Sequence, residues 1–120
     1  MVSRDRGRAE AFAGRHGAAR ALTSFGELLA DPEVDAVYIA TPNALHADEV
    51  VAAAAAGKHV MCDKPLALSV ADAQRAVAAC EQAAVQLGIT FQTRFHDHFG
   101  RFREVIQDGS LGRSGWCRSR

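Results

Sequence analysis

Three short β-prone runs, Ala36–Ala40, Lys58–Cys62 and Ile89–Gln92, alternate with stretches that have the spacing of amphipathic helices, and this alternation limits the fold more than any other feature. The first run, Ala36-Val37-Tyr38-Ile39-Ala40, has no charged position and lies between Asp35 and Thr41-Pro42-Asn43. A strand buried on both faces, as in a parallel sheet, reads this way. Leu45–Ala56 is alanine-rich and helical in pattern, and Gly57 closes it. Ser69 is placed to cap a longer helix reaching about Gln86, with Ala71, Val77, Ala78 and Ala84 inside and Gly88 as its stop. Strands joined by helices at this spacing predict βαβ units in an α/β, doubly wound parallel sheet.

The flanks fit the same scheme. Arg4–His16 reads as a helix with Ala9, Phe12 and Ala13 on one face, and Ala19–Leu22 as a short strand. Ser24 is placed to cap a helix through Ala30, which buries Phe25, Leu28 and Leu29 before Asp31-Pro32 ends it. A last helix is expected over His98–Gln107, with Phe99, Phe102, Val105 and Ile106 on one side. Residues 113–120, with three arginines and no periodicity, read as a loose tail.

Composition excludes several classes of function. The 120 residues carry 14 Lys+Arg and 14 Asp+Glu, a formal charge of zero, so nothing argues for nucleic acid or an acidic membrane surface as partner. The hydrophobic share of 48% excludes disorder, although 24 of the residues are small alanines. The longest apolar run, Val50–Ala56, falls far short of the ~20 residues that span a bilayer. Three cysteines without a C-x-x-C pair point to reduced thiols in a cytoplasmic protein, and residues 1–20 have no apolar core of a signal peptide.

In open parallel sheets ligands bind beyond the carboxyl ends of the strands. Three such ends are visible. At Thr41-Pro42-Asn43 the hydroxyl can bond a ligand and the asparagine can cap the next helix; the same residues also make an ordinary strand-to-helix turn. At Asp63-Lys64-Pro65 a lysine beside a carboxylate can orient a substrate hydroxyl or supply a proton, or can stand in an exposed turn. At Thr93-Arg94 the arginine can clamp an anionic or polyol group, or be solvated. His46 falls in the first turn of the helix after Asn43, within reach of the same edge. His96-Asp97-His98 has no evident third ligand, so no metal site is expected.

Taken in order, Asp35–Asn43, Leu45-His46, Ala56–Val60 and Asp63-Lys64-Pro65-Leu66 closely resemble the Gfo/Idh/MocA oxidoreductases, the glucose–fructose oxidoreductase and inositol dehydrogenase-like enzymes. The resemblance extends from about Val2 to Gly112. It implies a Rossmann-type nucleotide-binding domain over residues 1–92, the start of a C-terminal substrate domain over 93–112, and an unmatched tail over 113–120. The implied reaction is hydride transfer between a nicotinamide cofactor and a hydroxyl-bearing carbon of a sugar, cyclitol or related diol. The family's Glu-Lys-Pro motif corresponds to Asp63-Lys64-Pro65, which makes Lys64 the catalytic candidate beside substrate and nicotinamide. By the same resemblance Thr41, Pro42, Asn43, His46, Asp63, Lys64 and Pro65 line the cofactor pocket, and Arg94 stands at the junction of the two domains. Ser3-Arg4 matches the end of the family's second strand, where the adenosine ribose is read. Ser and Arg suit a 2′-phosphate, whereas an acidic residue there would suit a 2′-hydroxyl, so NADP is favoured over NAD. The full-length form is expected to be a homo-oligomer.

The Gly-rich turn G-x-G-x-x-G and the strand before it are absent from these 120 residues. The expected fold is therefore an incomplete doubly wound sheet without its first, central strand. Such a sheet is expected to collapse, to pair its second and fourth strands, or to be completed by another chain, because unpaired buried backbone groups cost roughly 1–3 kcal/mol each. Two functions follow: a segment of a sugar or diol dehydrogenase, or a truncated, non-catalytic fragment or binding module.

Overall fold

The computed structural model describes residues 1–112, which form two units, Met1–Ile89 and a second beginning at Thr90. The first unit runs α1 (Arg6–His16), α2 (Phe25–Leu29), β1 (Ala36–Ile39), α3 (His46–Ala55), β2 (His59–Cys62), α4 (Val70–Gln82) and β3 (Leu87–Ile89). The second carries a short 3-10 turn, Gln92–Phe95, and α5 (Asp97–Gln107). The tail expected at 113–120 lies outside the described residues.

The sheet is parallel throughout, in the order β1-β2-β3. Its register sets Ala36 opposite His59 and Ile39 opposite Cys62, and continues from Val60 to Leu87. Both crossovers place their helices on one face. There Val37, Ile39, Val60 and Cys62 meet Ala47, Val50, Ala53 and Ala54 of α3 and Ala76 and Cys80 of α4. Small residues along both helices let them lie close to the sheet, which is why an alanine-rich chain still builds a core. Phe25, Leu28 and Leu29 of α2 pack against its margin.

Burial on both faces of the first strand, expected from its continuous apolar run, is not what is found. In β1 and β2 burial alternates, so that Ala36, Tyr38, His59 and Met61 face outward. Of the outcomes expected without a first strand, neither collapse nor a pairing of the second and fourth strands is found among the described residues. Among the described residues β1 pairs with β2 alone, while Val2 makes one parallel bridge to Leu22. That isolated bridge, with Ser3 N donating to Leu22 O at 3.0 Å and Leu22 N to Met1 O at 2.8 Å, stands in place of the strand expected over Ala19–Leu22.

Helix ends obey local chemistry. Asp5 caps α1 by accepting from the Arg8 amide at 2.8 Å, so the helix starts at Arg6 rather than Arg4. Within it Phe12 is not buried but stacks on His16, ring centroids 4.2 Å apart. Ser24 and Ser69 accept from the Glu27 and Asp72 amides, as expected. The long helix stops at Gln82 rather than Gln86, with Ala84 in the left-handed region at φ 54°. Its buried residues are Ala76 and Cys80, whereas Ala71, Val77 and Ala84 are exposed. Gly88 does not end this helix. It sits inside β3, which runs Leu87–Ile89 rather than Ile89–Gln92, and a Cβ there would stand 3.0 Å from Sδ and Cε of Met61.

Buried Asp31 is held by ion pairing with Arg20 and by the Glu33 amide at 3.0 Å, while Lys58 Nζ donates to its carbonyl at 2.8 Å. A carboxylate so well partnered can be buried without an orphaned charge.

Candidate functional site

Because β1 and β2 are adjacent and parallel, the loops at their carboxyl ends lie side by side. Asp63 N, just past β2, donates to Ile39 O at the end of β1 at 2.8 Å. Thr41-Pro42-Asn43 and Asp63-Lys64-Pro65 therefore share one edge.

His46 joins them. It is 1% exposed, with Nε2 2.8 Å from the Thr41 carbonyl and Nδ1 2.7 Å from the Pro65 carbonyl. The resemblance implies that His46 lines the cofactor pocket; its ring is buried beneath the two loops, with each nitrogen against a backbone carbonyl. Asn43 does not cap α3 through its side chain. It opens a 3-10 turn, Asn43–Leu45, that leads into α3 at His46, and Leu45 N donates to Pro42 O at 2.8 Å. The asparagine side chain is thus left exposed at the edge.

The Thr41 hydroxyl donates to Glu49 Oε2 at 2.6 Å. With its proton committed there, the oxygen offers only lone pairs to a ligand. Glu49 was not foreseen as part of this edge. Its position one turn after His46, in the helix's first turn, is the signal that could have found it.

Asp63 turns its carboxylate back onto the Lys64 amide, Oδ1 accepting at 2.8 Å, so it shapes the loop rather than pairing with the lysine's ammonium. Lys64 is exposed, the Lys64–Pro65 peptide is cis, and among the described residues no carboxylate lies within 4.0 Å of the Lys64 ammonium. The Cys62 thiol, fully buried at the end of β2, is pushed up to about 11 by its burial and, secondarily, by the negative charges of Asp63 and Glu49. It stays a neutral packing group.

Ser3 and Arg4 follow the bridge between Val2 and Leu22, which lies outside the three-stranded sheet. Ser3 Oγ accepts from Asp5 N at 3.4 Å, Asp5 is the cap of α1, and the Arg4 guanidinium is exposed. Arg94 belongs to the second unit, in the 3-10 turn Gln92–Phe95, where it lines a shallow cavity with Phe99, Phe102 and Arg103. Among the described residues, no three His, Cys, Asp or Glu side chains converge as metal ligands, and no helix is long and apolar enough to cross a membrane.

Residues 1–91 match the model of the GFO_IDH_MocA family, described as an oxidoreductase family with an NAD-binding Rossmann fold. The chain is 42% identical over 113 residues to a 1,5-anhydro-D-fructose reductase of Ensifer adhaerens, covering 94% of this chain and 34% of that protein. It is 45% identical over 106 residues to a D-xylose 1-dehydrogenase (NADP(+)) of Haloferax volcanii, covering 88% and 33%. Among solved structures, a 3-ketoreductase of Actinomadura kijaniata in complex with NADP superposes with a TM-score of 0.85 at 32% identity, over 92% of this chain and 35% of that one. The chain thus spans about a third of the length of the relatives it matches. Its place in the fold and its sequence make it a member of the Gfo/Idh/MocA oxidoreductase family, within the family's NAD-binding Rossmann domain.

Proposed function

We propose that these residues form the nucleotide-binding part of a dehydrogenase or reductase that moves a hydride between a nicotinamide cofactor and a hydroxyl-bearing carbon of a sugar, cyclitol or related diol. The observation that carries this reading is Lys64: an exposed, carboxylate-free ammonium at the end of β2, in a loop tied by His46 to the loop after β1. The 1,5-anhydro-D-fructose reductase and D-xylose dehydrogenase among the relatives support the substrate class.

The donor set suits the nicotinamide end of the cofactor. Thr41 can accept from an amide or hydroxyl, and the exposed Pro42 and Asn43 line the same edge, with Asp63 and Pro65 shaping the loop opposite. The cofactor supplies the hydride acceptor or donor. Lys64 binds the substrate oxygen, stabilises the charge that develops on it, and passes a proton to or from it. Arg4 and Ser3 are the residues we assign to a 2′-phosphate, which makes NADP the favoured cofactor over NAD; a relative named for NADP(+) and a neighbour holding NADP support this. We assign Arg94 to the start of a substrate domain near residue 93, in a protein that acts as a homo-oligomer. The free, buried thiols of Cys62 and Cys80 support a reducing, cytoplasmic setting.

In the intact protein, Lys64→Ala is expected to lower turnover by about 100-fold or more, the usual scale of acid–base catalysis. Cofactor affinity should change little. Unchanged turnover would make Lys64 a structural residue. Arg4→Asp is expected to shift the preference from NADP toward NAD by at least tenfold in the ratio of kcat/KM values, and an unaltered ratio would remove Arg4 from the phosphate site.

A further inference from the structure

Resting on the hydride-transfer reading above, we propose that His46 is a positioning residue whose Nδ1–H anchors the lysine-bearing loop, while its Nε2 lies against the carbonyl of the loop after β1. Both partners are backbone carbonyls, Pro65 O at 2.7 Å and Thr41 O at 2.8 Å. Carbonyl oxygens only accept, and either neutral tautomer of an imidazole has a single N–H; we place it on Nδ1, toward the Pro65 carbonyl, the nearer of the two. The ring is 1% exposed, among the largest fully buried side chains of the unit, and water cannot replace its bond at low cost.

The two contacts differ in reach. The one to Thr41 spans five residues and lies within a local turn. The bond to Pro65 spans nineteen residues and crosses from the start of α3 to the loop after β2, next to Lys64. The lysine's own side chain is exposed, and Asp63 fixes only the Lys64 amide. Loss of the Nδ1 bond frees the carbonyl that follows the lysine by one residue, and with it the path of the loop. A misplacement of about 1 Å at a reacting group costs on the order of 100-fold in rate.

Amide side chains separate the two roles. The Asn amide nitrogen falls near the position of Nδ1, and the Gln amide nitrogen near that of Nε2. His46→Asn can therefore keep the bond to Pro65 O, and His46→Gln the bond to Thr41 O. In the intact protein, His46→Gln is expected to lower kcat at least tenfold with the KM for cofactor within about twofold, while His46→Asn keeps most of kcat. Hydrogen–deuterium exchange should rise at the amides of Lys64 and Leu66 in His46→Gln and stay near the wild-type rate in His46→Asn. Equal losses in the two variants, or the reverse order, would overturn the assignment. Exchange needs no substrate: if the intact protein reduced no nicotinamide cofactor, the hydride-transfer reading would fail while the exchange pattern still judged the bridge.

Discussion

At the scale of single residues, the sheet's carboxyl edge divides into groups that make the structure and groups left free to act. His46, Asp63 and Glu49 spend their polar atoms on the protein, whereas Lys64 keeps its ammonium for something else. Cys62 belongs with the first set. Burial, helped by Asp63 and Glu49, raises its thiol from 9.0 to about 11, so folding favours the protonated form. That contribution is fully present below the unfolded thiol's range and is lost as pH rises through about 9 to 11. Thermal melts over pH 8 to 11 are expected to fall more steeply for the native chain than for Cys62→Ala. Parallel curves for the two would show that the thiol is not held neutral by the fold.

At the scale of elements, what the sequence made legible was the local chemistry. Ser24 and Ser69 cap the helices foreseen for them, and the βαβ alternation gives a parallel sheet with its strands in sequence order. The phase of α4 was not legible, because its alanines at 71, 73, 76, 78 and 79 are spread around the helix rather than gathered on one face. Its end was hidden for a related reason: Ala84 takes a left-handed conformation that glycine usually fills, while the nearby glycine, Gly88, serves the strand under Met61. The one-sided burial of β1 was invisible too, since a run without polar residues reads the same whether one face or two are covered. The inward turn of His46 depends on Pro65, nineteen residues away, and no local pattern encodes it. The Ser69 cap accepts from the Asp72 amide at 3.1 Å and donates to its carboxylate at 2.7 Å. Ser69→Ala is expected to cost about 1 kcal/mol, read as a lower urea midpoint at unchanged slope. No shift in the midpoint would mean that α4 is held by packing alone.

At the scale of the molecule, the described residues hold one covered sheet face and one bare one. Tyr38 and Met61, 59% and 46% exposed, stand on the uncovered side, and β1 presents an edge that no described strand pairs. The chain spans about a third of its relatives, and the pyrophosphate turn of the Rossmann fold is not among its 120 residues. The edge formed by Thr41–Asn43 and Asp63–Pro65 is accordingly read as one wall of a hydride-transfer cleft. The most direct test is a crystal structure of the intact protein with NADP bound. The nicotinamide ring is expected against the Thr41–Asn43 loop, with the Lys64 ammonium within hydrogen-bonding distance of a substrate hydroxyl placed beside it. A cofactor bound with its nicotinamide away from both loops, or Lys64 directed out of the cleft, would contradict it.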